Sequence, residues 1–135
     1  TRRVLRPRDG ALATLDELGR RGVPRGLISM CSEDVPVVWP DTEFADRFEG
    51  ATFSASCGLV KPEPEIYLHT AAELGVEPTE CYFVGDGAND ELRGAQDVGM
   101  TSVLVRHAGR EPYWPEVRDW NGLGITELPE VLDLL

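Results

Sequence analysis

The sequence predicts an α/β domain in which helices cover both faces of a parallel β-sheet. Short apolar segments of strand character alternate along the chain with segments of helical spacing. This alternation is typical of parallel sheets, whose strands are joined by crossover helices. A chain of 135 residues suffices for one domain with a core of its own. We therefore predict a single domain over residues 1–135.

The predicted elements follow one another in a regular order. Asp9 is expected to cap a first helix, in which leucines recur at helical spacing until Gly22. Short strands are predicted over residues 25–30, 51–55, 81–85 and 101–105. Further helices are predicted from Ser32 (kept short by two prolines) and over residues 65–74, 89–98 and 128–135. A loop rich in glycine, proline and tryptophan spans residues 109–124, before the last helix.

The composition of the chain argues against several functional classes. Its formal net charge is -11, from 13 basic and 24 acidic residues, and such an acidic chain is unsuited to sequence-independent binding of nucleic acid. The apolar runs are too short to span a membrane, and the first residues do not resemble a secretion leader. Three cysteines without metal-ligand spacing indicate reduced thiols and a cytoplasmic location.

The segment Tyr82–Glu91 carries the clearest chemical signal. Strand residues lead into Asp86, and two further acids, Asp90 and Glu91, follow one helical turn later. Asp86 is thereby placed at the carboxyl edge of the sheet, where ligands bind in such folds. Carboxylates on a rigid support are suitable ligands for Mg²⁺. We therefore predict a magnesium site formed by Asp86, Asp90 and Glu91.

Lys61 and Ser29 strengthen this interpretation. Lys61 is the only lysine among 13 basic residues, and its compact ammonium group suits a phosphate or a carboxylate. Ser29 ends a predicted strand, so that Ser29, Lys61 and Asp86 all fall at or just beyond strand ends. Together these residues indicate metal-assisted phosphoryl chemistry.

Three segments resemble the second, third and fourth motifs of the haloacid dehalogenase-like (HAD) hydrolases. They are Leu27–Ser32 around Ser29, Val60–Tyr67 around Lys61, and Val84–Gly87 with the acids that follow. They stand in the family's order, with 32 and then 25 residues from Ser29 to Lys61 to Asp86. The resemblance implies a Rossmann-like core and Mg²⁺-dependent hydrolysis of a small phosphomonoester through an aspartyl-phosphate.

The resemblance also implies roles for these residues. Ser29, with Met30 beside it, would bind a phosphoryl oxygen, and Lys61 would neutralise charge on the nucleophile and the phosphoryl group. Asp86 and a second acid would hold Mg²⁺. Asp90, four residues after Asp86, matches some family members, whereas Glu91, five residues after, matches others and is slightly favoured.

The family's first motif is an apolar strand ending in Asp-x-Asp, whose first aspartate is the nucleophile. No Asp-x-Asp occurs in this chain. We therefore expect the sheet to be incomplete at the N-terminus, with the nucleophile strand and any cap domain ahead of Thr1. The chain alone would then be inactive, and it could pair with the absent segment or with a second copy.

Two other functions are compatible with parts of this pattern. A truncated or decayed HAD protein would keep the fold and bind Mg²⁺ or phosphate without turnover. A receiver-type signalling domain combines similar residues, but its phosphoacceptor and acids come early in the chain and its lysine last. Dehalogenation is a further branch of the family, although it would not need the metal-binding acids. None of these motifs identifies an individual substrate.

Overall fold

The computed structural model describes residues 7–107 and 113–135. The α-helices are α1 (Ala11–Arg20), α2 (Asp34–Val38), α3 (Ser54–Cys57), α4 (Pro64–Leu74) and α5 (Glu91–Asp97). The strands are β1 (Gly26–Ser29), β2 (Gly50–Phe53), β3 (Tyr82–Gly85), β4 (Thr101–Val105) and β5 (Leu123–Ile125). The arginine-rich residues 1–6 and part of the predicted loop at 109–124 lie outside the described residues.

The strands form two parallel sheets, which confirms the predicted α/β class. β1 pairs with β2, and Ser29 lies opposite Phe53 at their carboxyl ends. The second sheet has the order β3-β4-β5, with both pairs parallel. Each parallel pair places the carboxyl ends of its strands on the same edge. Ser29 and Gly85 therefore end strands at the edge where ligands bind in such folds.

Helix α4 joins the two sheets through a common apolar cluster. Ile66 and Tyr67 of α4 are fully buried. Side chains from both sheets pack against their cluster, including Ile28 of β1 and Phe83 of β3. Because burial of apolar surface is the main favourable term in folding, this cluster holds the sheets in one arrangement.

A groove separates β1 from β3, which are not hydrogen-bonded neighbours within the described residues. Its volume is about 490 Å³, and its walls are mainly apolar. It extends from Cys81, just before β3, to Lys61 and Glu91 at the carboxyl end of that strand. We call this space the inter-sheet groove. Its further lining residues include Leu15, Leu18, Ile28, Leu74 and Phe83.

The strands beside the inter-sheet groove, β1 and β3, are less buried than their hydrogen-bonded neighbours, β2 and β4. β1 and β3 contain no buried residue, whereas three of four residues in β2 and four of five in β4 are buried. In a complete sheet of this kind the inner strands are covered on both faces. The groove therefore leaves the two inner strands of the fold incompletely covered.

The start of α1 differs from the prediction. Gly10, not Asp9, is the N-cap residue, and no side chain caps the helix. Gly10 has a φ of 82°, and a Cβ atom there would lie 2.8 Å from Pro129. The left-handed backbone and the close approach of Pro129 favour glycine at this position.

In the second half of the chain the predicted strands at 81–85 and 101–105 are present, and three details differ from the prediction. α5 begins at Glu91 because Asn89 and Asp90 have positive φ values of 57° and 55°. β5 was predicted as loop, since a three-residue strand is too short to show a clear alternation. The last helix is a 3₁₀ helix, Leu128–Leu134. Its partly buried Val131 and Leu134 are three residues apart, and this spacing aligns side chains along a 3₁₀ helix.

Among the described residues, no helix is long and apolar enough to cross a membrane. Cys31, Cys57 and Cys81 are free thiols; Cys57 is exposed and the other two are partly exposed, although the sequence favoured buried thiols.

We predict that the Tyr67 hydroxyl stabilises the fold more than the hydroxyl of Tyr82. Tyr67 is fully buried and donates a hydrogen bond to the carbonyl of Glu91 at 2.8 Å. Tyr82 is 41% exposed and donates to the carbonyl of Leu134 at 3.0 Å. Tyr67→Phe should lower the free energy of unfolding by about 1–2 kcal/mol, and Tyr82→Phe by no more than about 0.5 kcal/mol. Equal losses in urea unfolding would contradict this assignment.

Candidate active site

A buried ion pair lies at the carboxyl end of the inter-sheet groove. The Lys61 Nζ atom is 2.7 Å from Glu91 Oε1, and the two side chains are only 10% and 5% exposed. Glu91 Oε2 also accepts a hydrogen bond from the Gly87 amide at 2.9 Å. The Lys61 ammonium further lies 5.9 Å from the centre of the Phe83 ring. The structure therefore brings together two of the predicted site residues, and it fixes the position of a cation there.

Two glycines make room for this ion pair. A Cβ atom on Gly85 would lie 2.2 Å from Glu91 Oε2, so a side chain there would displace the Glu91 carboxylate. A Cβ atom on Gly94 would lie 2.7 Å from both Pro62 and the Tyr67 hydroxyl. Gly94 thus allows α5 to approach the Lys61 loop closely, and the pair forms across that contact.

The Tyr67 phenol supports the start of α5 at the same place. Its hydroxyl donates to the Glu91 carbonyl, as described above. Burial, together with the nearby Glu91 carboxylate, raises the pKa of Tyr67 above its ordinary value. The phenol therefore stays protonated and remains a donor over the physiological pH range.

Asp86 follows β3 and accepts a hydrogen bond at each carboxylate oxygen. The Ala88 amide donates to Oδ1 and the Trp114 indole Nε1 donates to Oδ2, both at 3.1 Å. Burial alone would raise the pKa of Asp86. The hydrogen bonds from Trp114 and Ala88, with the positive charge of Lys61, outweigh this effect and hold the pKa of Asp86 below its ordinary value. Asp86 is therefore an ionised carboxylate at neutral pH.

Asp90 makes a different contact from Glu91. Its side chain is 44% exposed, and it lies 3.9 Å from the guanidinium of Arg93 on the next helical turn. The positive φ of Asp90 places it outside α5, whereas the prediction had it in that helix. Asp90 and Glu91, although adjacent in sequence, thus have different surroundings.

Ser29 is the last residue of β1, and Met30 follows it directly. The Met30 sulfur accepts a hydrogen bond from the Lys61 amide at 3.4 Å. The next amide, that of Cys31, donates to the Ser54 hydroxyl at 3.0 Å. Among the described residues, no hydrogen bond joins the Ser29 hydroxyl to Lys61, Asp86 or Glu91. The structure thus links Met30 directly to the Lys61 loop and places Ser29 at the same edge.

The acidic residues do not form a complete metal cage by themselves. Within residues 7–107 and 113–135, no group of three or more His, Cys, Asp or Glu side chains could hold a metal ion. The assignment of Asp86, Asp90 and Glu91 as metal ligands therefore stays a prediction. The two candidates for the second ligand differ in their contacts: Glu91 is paired with Lys61, and Asp90 lies near Arg93.

Trp114 is the site residue that sequence reasoning missed. The sequence places Trp114 only in a loop rich in glycine, proline and tryptophan, yet its indole N–H donates directly to Asp86. Its place in the loop after β4 was the available signal, because such loops emerge at the edge where ligands bind.

Comparisons with known proteins identify the family of the chain. The sequence model of the haloacid dehalogenase-like hydrolases matches residues 2–99. A glyceraldehyde 3-phosphate phosphatase from Pyrococcus furiosus is 31% identical over 135 residues, covering 97% of this chain and 55% of that protein. A bovine protein, haloacid dehalogenase-like hydrolase domain-containing protein 3, is 34% identical over 112 residues, or 82% of this chain and 43% of its own length.

A solved structure shows the same fold. The crystal structure of an HAD phosphatase from Thermococcus onnurineus superposes with a TM-score of 0.80 at 29% identity. The match covers 94% of this chain and 57% of that one. The chain therefore spans about half of the length of the proteins it matches.

We predict that loss of Lys61 alone destabilises the fold, because Glu91 would then be a buried charge without a partner. Lys61→Met would leave the Glu91 carboxylate buried without its counter-ion, which typically costs about 3–5 kcal/mol. The double variant Lys61→Met/Glu91→Gln should recover part of that loss, because the orphaned charge is removed. Urea unfolding of the purified variants gives the free energies.

The control is an exposed ion pair on α1. Arg20 lies 2.7 Å from Glu17, and their side chains are 68% and 31% exposed. Arg20→Met should lower the free energy of unfolding by less than about 1 kcal/mol. A loss for Lys61→Met no larger than that for Arg20→Met would show that the buried pair has no special role.

Proposed function

Since the chain belongs to the haloacid dehalogenase-like hydrolases, we propose that it forms the phosphate- and metal-binding part of a Mg²⁺-dependent phosphatase. The observation that carries this proposal is the inter-sheet groove, which ends at the buried ammonium group of Lys61. Ser29 and Met30 at the end of β1, and Asp86 just after β3, lie at the same edge of the sheets.

The groove has the character of an unfilled strand position. It is apolar and lies between β1 and β3, the two strands that are incompletely covered. We propose that the apolar strand of the family's first motif occupies it in the whole protein. A strand parallel to its neighbours would bring its carboxyl end beside Lys61. Its terminal aspartate would then face the ammonium group.

This placement defines the role of Lys61. The described residues provide Glu91 as the only carboxylate in ion-pair contact with Lys61, and Glu91 is held by the Gly87 amide as well. A second carboxylate, at the end of the groove strand, would serve as the nucleophile toward phosphorus. Lys61 would neutralise charge on that nucleophile and on the phosphoryl group during transfer.

Ser29 and Met30 are proposed to bind the phosphoryl oxygens. Both residues lie at the carboxyl end of β1, and the hydroxyl of Ser29 can donate a hydrogen bond to an anionic oxygen. The contact between Met30 and the Lys61 amide would keep this strand end at a fixed position relative to the cation.

The donor set fits a magnesium ion in part. Mg²⁺ commonly uses one or two protein carboxylates together with water and substrate oxygens, and Asp86 is an ionised carboxylate at the right edge. Both oxygens of Glu91 already take part in hydrogen bonds. We therefore propose Asp86 as the direct ligand, Glu91 as the residue that holds Lys61, and Asp90 as the remaining second candidate. Bound Mg²⁺ would stabilise the charge on the reacting phosphoryl oxygens.

The proposed substrate is a small phosphorylated metabolite. Two relatives are glyceraldehyde 3-phosphate phosphatases, from Pyrococcus furiosus and Methanopyrus kandleri, so glyceraldehyde 3-phosphate is the first compound to test. A cytoplasmic location fits the three free thiols and belongs to the same proposal. The non-catalytic alternative, a protein that binds Mg²⁺ or phosphate without turnover, is decided by the same assay.

The test supplies the strand that the groove is proposed to bind. The chain is assayed alone, and with an apolar strand ending in Asp-x-Asp that is joined through a flexible linker. Phosphate release is measured from several phosphomonoesters with and without Mg²⁺. We expect Mg²⁺-dependent hydrolysis only when the strand is present, and none when its first aspartate is replaced by asparagine.

Matched variants connect the activity to the site. Asp86→Asn should reduce kcat about 100-fold or more, because a charge that stabilises the transition state is lost. Asp97→Asn makes the same change at the exposed end of α5 and should leave kcat unchanged. If the strand-containing protein binds Mg²⁺ or phosphate but shows no turnover, the non-catalytic alternative is correct. Full activity of Asp86→Asn would instead overturn the site assignment.

A further inference from the structure

Trp114 contacts the candidate metal ligand from a separate segment of the chain. We propose that Trp114 is a positioning residue, whose indole N–H holds the Asp86 carboxylate in the orientation that binds Mg²⁺. This inference rests on the proposed function and adds a determinant of metal affinity to the same site.

The geometry restrains the carboxylate from both sides. Asp86 Oδ1 accepts from the Ala88 amide of its own turn, and Oδ2 accepts from Trp114 Nε1, each at 3.1 Å. With one donor on each oxygen, rotation of the carboxylate about its terminal bond is restricted. Each oxygen keeps a further lone pair for an ion. The indole is uncharged, so it orients the carboxylate without competing with a cation.

The segment that carries Trp114 is anchored in the core. Trp114 precedes a 3₁₀ turn, Pro115–Val117, in which the Val117 amide donates to the Trp114 carbonyl at 3.1 Å. Val117 is 2% exposed and packs with Leu92 and Leu104. The Arg106 guanidinium donates to the Val117 carbonyl at 3.2 Å. The indole is therefore supported by a fixed turn.

Gly87 fits the same turn against the Asp86 segment. Its φ is 92°, and a Cβ atom there would lie only 2.0 Å from Val117. This close approach brings the backbone after Asp86 into contact with the turn that carries Trp114. The hydrogen bond between Trp114 and Asp86 is thus built into the packing of two segments, 28 residues apart.

The other two tryptophans have purely structural surroundings. Trp120 donates its indole N–H to the Leu123 carbonyl at 2.9 Å, and Trp39 stacks on Phe44 with ring centres 6.0 Å apart. Trp114 is 50% exposed, so burial of its ring is not its main contribution. Its N–H instead meets a carboxylate at the edge where ligands bind. Hydrogen-bond donors behind metal ligands typically change metal affinity about 10–100-fold.

The test measures Mg²⁺ binding directly, without a turnover assay. The full chain is labelled with ¹⁵N, and its indole N–H signals are followed by NMR during titration with Mg²⁺. We expect the Trp114 signal, assigned from Trp114→Phe, to shift with Mg²⁺ while those of Trp39 and Trp120 stay in place. Isothermal titration calorimetry should show Mg²⁺ binding about tenfold weaker in Trp114→Phe than in the wild type.

Two further variants complete the comparison. Trp120→Phe removes an indole N–H that bonds to a backbone carbonyl and should leave Mg²⁺ affinity unchanged. Asp86→Asn should abolish binding. Thermal unfolding without Mg²⁺ identifies any variant that does not fold. If Trp114→Phe does not fold, two other substitutions of Trp114 are compared. Trp114→His, which keeps a ring N–H donor, should then bind Mg²⁺ more tightly than Trp114→Leu.

The outcomes separate this inference from the proposed function. If Asp86→Asn abolishes Mg²⁺ binding and Trp114→Phe binds as the wild type does, the role of Trp114 is wrong and the metal site stands. If Trp114→Phe and Trp120→Phe weaken binding equally, the effect is structural and the role of Trp114 is again wrong. If the wild type shows no Mg²⁺-dependent change either alone or joined to the first-motif strand, both the metal assignment of Asp86 and the inference fail.

Discussion

The buried contact between Lys61 and Glu91 is the interaction on which the rest of the site depends. It joins the loop before α4 to the first residue of α5, and it fixes an ammonium group at the end of the inter-sheet groove. Removal of two charges from water is expensive, and a buried ion pair is weak evidence for stability in itself. The position of the Lys61–Glu91 pair points to a different role: Glu91 holds the Lys61 ammonium group where, in the proposed function, a phosphoryl group would react.

The surrounding packing is consistent with that role. Gly85 leaves space for the Glu91 carboxylate, and Gly94 allows α5 to reach the Lys61 loop. Tyr67 connects the core cluster to the Glu91 backbone. The less-buried strands beside the groove each have one backbone edge that no other described strand pairs with, and proteins ordinarily cover such edges. A strand in the groove would both complete the sheet and bring a carboxylate to Lys61, so stability and chemistry would be provided by the same segment.

The sequence was sufficient to predict the α/β class and the residues that meet at the strand ends. Apolar periodicity located four strands, and the uniqueness of Lys61 directed attention to the loop that forms the buried ion pair with Glu91. The sequence could not separate Asp90 from Glu91, because their difference arises from two left-handed residues that break the helical register. It also could not show Trp114, whose contact with Asp86 depends on how Val117 packs against Gly87. Contacts between distant segments of this kind leave no periodic signal.

The central claim, that the inter-sheet groove takes a strand, is tested most directly by hydrogen–deuterium exchange. Amide exchange is measured in the chain with and without the first-motif strand. We predict that amides of β1 and β3 that face the groove exchange more slowly when the strand is present, while β2 and β5 change little. Unchanged exchange at β1 and β3, or equal slowing in all strands, would contradict the claim that this groove is the missing strand position.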